Sequence, residues 1–183
     1  MIDSYGREIN YLRISVTDLC NLKCRYCMPE KGIEKKAHSE ILRLETIEKI
    51  AETAVKMGIN KIRLTGGEPL VRRGIIDLIR KIAQLKKYGL KDLGLTTNGI
   101  LLKEKADELK KAGLNRVNIS LDTLDKQKHF YITRGGDIND VMEGIRATKE
   151  AQLFPLKFNV VLVGGFNDDE IEVKPMNMSR FST

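Results

Sequence analysis

Three thiols fall within eight residues, Cys20-Asn-Leu-Lys-Cys24-Arg-Tyr-Cys27, and the chain has no other cysteine. An odd number cannot close into disulfides, so the spacing C-x3-C-x2-C points to a loop wrapped around a metal or a cluster. Soft sulfur donors favour zinc, copper(I) or iron–sulfur centres. Three cysteines hold three irons of a [4Fe–4S] cube and leave the fourth without a protein ligand, open to the amine and carboxylate of a small molecule. A structural zinc site instead needs four closed ligands. His38, eleven residues beyond Cys27, is the nearby fourth donor for that alternative. His38 and His129 otherwise read as surface residues.

A second chemical element is Thr65-Gly66-Gly67-Glu68-Pro69. Adjacent glycines at the end of a strand expose backbone amides and carbonyls to a ligand, and Glu68 or the turn itself can grip a cationic amine. A third is a set of cations inside strand-like runs, Arg13, Arg63 and Lys157. A cation pointing inward from a strand is costly unless it meets an anion; the alternative is that each points outward or pairs with a neighbouring carboxylate.

The elements that must position these groups alternate short β-rich runs with amphipathic stretches, the rhythm of βα units in a parallel sheet. Strands are predicted at Tyr11–Val16, Lys61–Thr65, Leu93–Thr97, Val117–Leu121 and Phe158–Val163. Helical spacing marks Leu44–Met57, the run carrying Ile75, Ile79, Ile82 and Ala83, Lys103–Ala112, and a region whose best pattern is Ile138, Val141, Met142, Ile145. Gly58, Gly89 and Gly113 stand where C-terminal caps belong. Asn98-Gly99 ends a strand before a helix. Five such strands suit a doubly wound open sheet or an arc of a barrel, and both place ligands at the C-terminal strand edge, where the polar and glycine punctuation falls.

A chain of 183 residues, 42% hydrophobic and 31% charged, is one soluble domain's worth. No apolar run approaches the ~20 residues of a membrane span, and the N-terminus lacks a signal-peptide pattern, so the expected location is the reducing cytoplasm. The net charge of +7 rests on lysines such as Lys86, Lys87, Lys103, Lys105, Lys110 and Lys111. They fall at helix ends and on polar helix faces, a solvated surface and not a nucleic-acid face.

The cysteine loop after the first strand, with Tyr26 before the last cysteine and Gly-Gly-Glu-Pro after the second, resembles the radical S-adenosylmethionine (SAM) superfamily. Arg13-Ile-Ser-Val-Thr-Asp-Leu-Cys, Cys27-Met-Pro-Glu, Arg63-Leu-Thr-Gly-Gly-Glu-Pro-Leu, Thr96-Thr-Asn-Gly and Asn118-Ile-Ser-Leu-Asp-Thr-Leu-Asp are similar to the GTP 3′,8-cyclase family within it, from about Ile9 to Glu170. The resemblance implies a partial (βα) TIM-type barrel with about five of six βα units present. It implies a lyase of molybdenum cofactor biosynthesis: Cys20, Cys24 and Cys27 would ligate a [4Fe–4S] cluster, and S-adenosylmethionine would chelate its open iron. Tyr26 would meet the adenine side, Gly67 and Glu68 the methionine end, and Ser120 the ribose or carboxylate region. Arg13, Arg63, Thr96 and Lys157 match positions that contact GTP. An electron donor completes the expected partners.

The resemblance fades near Ile171, so residues 1–171 are expected to form the radical SAM core and 172–183 a divergent tail. The second cysteine trio of the family has no counterpart in this sequence, and a partner or a further C-terminal part is expected to cover the open sheet edge. The competing expectations are a non-catalytic iron–sulfur or zinc-binding fragment that works with a partner, and a radical SAM enzyme with another small substrate.

Overall fold

The computed structural model describes residues 2–32 and 40–171; the expectations for His38 and for the tail 172–183 lie outside the described residues. Strands β1 (Tyr11–Ser15), β2 (Lys61–Thr65), β3 (Asp92–Thr97), β4 (Arg116–Ser120) and β5 (Lys157–Asn159) form one parallel sheet, ordered in space as in the chain. A doubly wound sheet reverses its order at a switch point, whereas consecutive order belongs to a barrel. The sheet is therefore a barrel arc, left open between its edges β1 and β5.

Helices α1 (Leu44–Lys56), α2 (Ile75–Ala83), α3 (Leu102–Lys111) and α5 (Ile138–Glu150) bury one stripe each: Ile47, Ala51 and Val55; Ile75, Leu78, Ile79 and Ile82; Leu102, Ala106 and Leu109; Ile138, Val141 and Ile145. These stripes join Ile14, Ile62, Leu64, Leu93, Leu95, Val117 and Ile119, alternate residues of the strands, in one core. The pleat then turns Arg13, Arg63, Gly94, Thr96, Asn118, Ser120 and Lys157 to the opposite, concave face. Gly144 sets how closely α5 approaches α3, since a Cβ there would lie 2.2 Å from Gly99 O. Among the described residues no helix is long and apolar enough to cross a membrane.

Three expectations change. The last strand stops at Asn159 because side chains take over its polar groups. Asp122 Oδ1 accepts from Val161 N at 2.8 Å, and Asn167 Nδ2 donates to Val161 O at 2.9 Å while its Oδ1 accepts from Val163 N. The helical region after Asp122 is two helices, α4 (Lys126–Thr133) and α5. Each is capped by an aspartate, Asp125 and Asp137, and they are divided at Arg134 and Gly135, both with positive φ. His129, expected on the surface, is 3% exposed on α4. Neither of its ring nitrogens has a hydrogen-bond partner, and burial holds its pKa below the usual imidazole range.

Candidate functional site

β1 runs straight into the cysteine loop and so delivers the thiols to the C-terminal edge of the sheet. Within the loop Cys24 O accepts the amides of Cys27 and Met28, each at 3.0 Å, which turns the chain back on itself. The end of α4 grips it from the side. Arg25 N donates to Ile132 O at 2.8 Å, and the Arg25 guanidinium lies 3.9 Å from the Tyr131 ring centroid. Arg134 donates to Lys23 O and Met28 O, each at 2.7 Å. No sequence signal marked Arg25 or Arg134, because only the packing of α4 on the loop gives them this task.

Burial pushes all three thiols up; Cys24 is pushed up to about 12 by burial first, then by Cys27, Cys20 and Asp122, while charge from Cys20 and Asp122 adds to the rise of Cys27 and charge from Glu68 to that of Cys20. Three thiolates so close together call for a cationic centre between them. Among the described residues no group of three or more His, Cys, Asp or Glu is gathered tightly enough for a single metal ion. The donors are better matched to separate irons of a cluster.

The glycine turn lines the cleft beside the thiols and also ties β2 to the cysteine loop. Gly67 N donates to Thr17 O at 2.7 Å and Glu68 N to Leu19 O at 2.8 Å, so these two amides are spent on the entry to the cysteine loop. Glycine is required for closeness: a Cβ on Gly66 would lie 2.4 Å from Thr17 O, and one on Gly67 2.3 Å from Leu19 O. Glu68 is fully buried. Its carboxylate accepts from Leu70 N at 3.0 Å, Thr97 Oγ1 at 2.9 Å and Asn98 N at 2.7 Å. Burial raises its pKa, and the hydrogen bonds from Asn98, Leu70 and Thr97 oppose that rise. Glu68 thus staples the turn after β2 to the turn after β3. Both of its carboxylate oxygens accept from these internal donors.

Asn98, held there, donates from Nδ2 to Asn21 Oδ1 at 2.7 Å and approaches Cys20 Sγ at 3.8 Å. Across the opening, the Tyr26 hydroxyl donates to Asp122 Oδ2 at 2.5 Å. Burial and Asp122 hold the phenol above its usual range, in the protonated donor form. Asn98 and Asp122 stand at strand ends inside the sequence motifs, where their local pattern reads only as turn punctuation.

These groups surround a cleft of about 270 Å³ whose lining includes Cys20, Cys24, Cys27, Tyr26, Gly67, Thr96 and Ser120. A larger groove, about 430 Å³, lies on the helical outside between α1 and α2 and holds only charged surface residues and leucines around Gly74 and Gln84. Glu68 lies behind the cleft wall. Arg13, Arg63 and Lys157 do not line it but share the concave face in register. Arg13, Arg63, Gly94 and Arg116 form one row; Thr96, Asn118 and Lys157 form the next; Ser120 and Asn159 form the one nearest the thiols. Arg116 is already paired with Asp92, its Nε 2.9 and 3.0 Å from the two carboxylate oxygens. Arg13, Arg63 and Lys157 form no ion pair among the described residues. Arg63 Nε is buried with no hydrogen-bond partner.

Comparison with known proteins agrees with this layout. The model of the radical SAM superfamily matches residues 14–173. The chain is 59% identical to the GTP 3′,8-cyclase of Peptoclostridium acidaminophilum over 172 residues, 94% of this chain and 52% of that protein. It is 55% identical to the GTP 3′,8-cyclase of Alkaliphilus metalliredigens over 172 residues, 94% of this chain and 53% of that protein. The chain therefore spans about half the length of the curated relatives it matches. In fold it is similar to Streptococcus suis SuiB bound to S-adenosylmethionine, with a TM-score of 0.71 and 21% identity over 94% of this chain and 36% of that one.

Proposed function

Because this chain belongs to the radical SAM superfamily, we propose that it carries the radical-generating part of a GTP 3′,8-cyclase, holding a [4Fe–4S] cluster and S-adenosylmethionine. The observation that carries the reading is a single concave face with three converging thiols at one edge and, one and two rows away, the cations Lys157, Arg13 and Arg63, which form no ion pair among the described residues. Cys20, Cys24 and Cys27 would hold the cluster. Their donor set fits it: three soft ligands, with the Cys24 thiol raised by burial and then by the charge of Cys27 and Cys20, which a cationic centre relieves. When bound and reduced, the cluster supplies the electron that splits the sulfonium of S-adenosylmethionine and starts hydrogen-atom abstraction from substrate.

Every other part of the work falls to side chains. Tyr26, anchored on Asp122, and Gly67 and Ser120 line the space for the adenosyl and methionyl parts. Glu68 serves them indirectly by fixing the Gly66–Gly67 turn and Asn98. Arg13, Arg63 and Lys157 offer charge to the triphosphate, with Thr96 beside them. Charge-assisted hydrogen bonds to phosphate would supply the acceptor that the buried Arg63 Nε lacks. Residues 1–171 act as one core, and a small one-electron donor serves it in a reducing compartment, which three unpaired thiols require.

The test is to reconstitute the chain anaerobically with iron and sulfide, reduce it, and supply S-adenosylmethionine and GTP. A cyclised product of GTP supports the full reading. Formation of 5′-deoxyadenosine without any change in GTP keeps the radical-generating part of the reading and argues for loss of GTP turnover or for a different small substrate. Zinc binding with no iron would reject the reading altogether.

A further inference from the structure

We propose that Asn118 reads a hydroxyl of the substrate's sugar, and this rests on the nucleotide reading above. Asn118 is 6% exposed on the concave face, between Thr96 and Lys157 in register, and its Oδ1 is buried with no hydrogen-bond partner. Buried amide oxygens in folded proteins nearly always find a donor, so an orphan facing a ligand site marks a contact the ligand completes. Only one other side-chain atom of the concave strand rows is left in the same state, Arg63 Nε. The two orphans differ in kind, since Arg63 needs an acceptor and Asn118 needs a donor.

A polyphosphate near neutral pH offers oxygen acceptors and satisfies Arg63, but it cannot satisfy an amide oxygen. The donors on a nucleotide are its sugar hydroxyls and its base N–H groups. The rows of the sheet choose between them. Arg13 and Arg63 lie two residues toward the strand N-termini from the row of Thr96 and Asn118, a step of roughly 6.6 Å along the strands. Ser120, on the cleft with the thiols, lies two residues the other way. A nucleotide with phosphates on Arg13 and Arg63, reaching to Lys157 at the end of the middle row, and a reacting C–H turned to the thiol edge crosses the centre of that row, at Thr96 and Asn118, with the part that joins them, its sugar. Gly94, in the cation row between Arg63 and Arg116, adds no side chain to the floor there. Asn118 then discriminates a ribonucleotide from a deoxynucleotide, because a site built to hydrogen-bond a hydroxyl is left with an unpaired group when the hydroxyl is missing.

Binding of GTP, 2′-deoxy-GTP and 3′-deoxy-GTP to the anaerobically reconstituted chain tests this, with iron content measured on every variant. The chain should bind GTP about tenfold more tightly than one of the two deoxy analogues. Asn118→Ala should weaken GTP by the same factor and leave that analogue unchanged, so the preference disappears while the iron content stays at the parent value. Asn118→Asp, which keeps an acceptor, should retain the preference. If Asn118→Ala loses iron, Asn118→Leu, close in shape but without an acceptor, decides by the same comparison. Equal weakening of GTP and both analogues overturns the assignment, as does a preference that survives loss of the amide. A chain that binds GTP with no preference removes only the role of Asn118, whereas a chain that binds no nucleotide rejects the nucleotide reading and this assignment with it.

Discussion

The thiol edge and the cation rows of the concave face follow opposite rules. At the edge, polar groups are spent inside the protein: Glu68 on Leu70, Thr97 and Asn98, Tyr26 on Asp122, Arg134 on two carbonyls of the cysteine loop. Two and four residues deeper, Asn118 Oδ1 and Arg63 Nε are buried without hydrogen-bond partners, and Lys157 and Arg13 stand exposed. A region saturated within itself is preorganised for a cofactor that sits in one way. A region left unsatisfied is completed by what binds. The difference teaches that substitutions at the edge should damage the protein and its cofactor together, while substitutions in the rows should damage substrate binding alone.

The largest expected effect is at the edge itself. Cys24→Ser should reduce iron in the reconstituted chain to background, measured per chain after desalting; retained iron would remove Cys24 from the ligand set. Next is Glu68→Ala, which leaves Leu70 N, Thr97 Oγ1 and Asn98 N without an acceptor in a fully buried place. It should lower unfolding free energy by about 3 kcal/mol in chemical denaturation and lower the affinity for S-adenosylmethionine as well. A stable Glu68→Ala protein would mean the staple is ornamental.

Arg63→Ala turns the comparison round. It should weaken GTP binding by about tenfold while unfolding free energy shifts by less than about 0.5 kcal/mol, because Arg63 forms no ion pair among the described residues and its Nε no hydrogen bond, and its guanidinium only lies 5.9 Å from the Tyr11 ring centroid. A large loss of stability there would erase the contrast between the two regions. Tyr26→Phe removes one hydrogen bond to Asp122 and should cost only a few-fold in affinity for S-adenosylmethionine, read by titration with iron unchanged.

The smallest effect tests the one cation of the rows that is already paired. Arg116 holds the Asp92 carboxyl below the usual range, chiefly through its hydrogen bonds. A depressed folded pKa contributes stability above the ordinary aspartate value, near pH ~4, and loses it as pH falls through the folded value. Asp92→Asn should therefore flatten the acid limb of stability against pH and leave neutral binding of GTP unchanged; an unaltered acid limb would show that the pair contributes nothing.

Much of this arrangement was legible in the sequence. Lys61–Thr65 is found with the bounds its alternation predicts, and the cysteine spacing, the glycine turn and Thr96 and Ser120 all arrive at one cleft. What the sequence hid were relations across the sheet. Glu68 reads as a ligand group because it ends a turn, and only the arrival of Thr97 and Asn98 beside it turns it inward. Asn118 reads as an ordinary strand residue until register sets it between Thr96 and Lys157. His129 shows no apolar pattern around it, yet α4 packs by the cysteine loop and buries it. The short β5 follows from Asp122 and Asn167 taking the groups a longer ladder would need, and no local periodicity carries that information.

The central claim, that the thiol edge is a finished radical-generating site, is tested most directly by one anaerobic measurement. The chain is reconstituted with iron and sulfide, reduced with dithionite and mixed with S-adenosylmethionine, and iron and 5′-deoxyadenosine are quantified together. The account predicts about four irons per chain and reductant-dependent 5′-deoxyadenosine. Four irons with no 5′-deoxyadenosine, or a chain that takes up zinc and no iron, would contradict it.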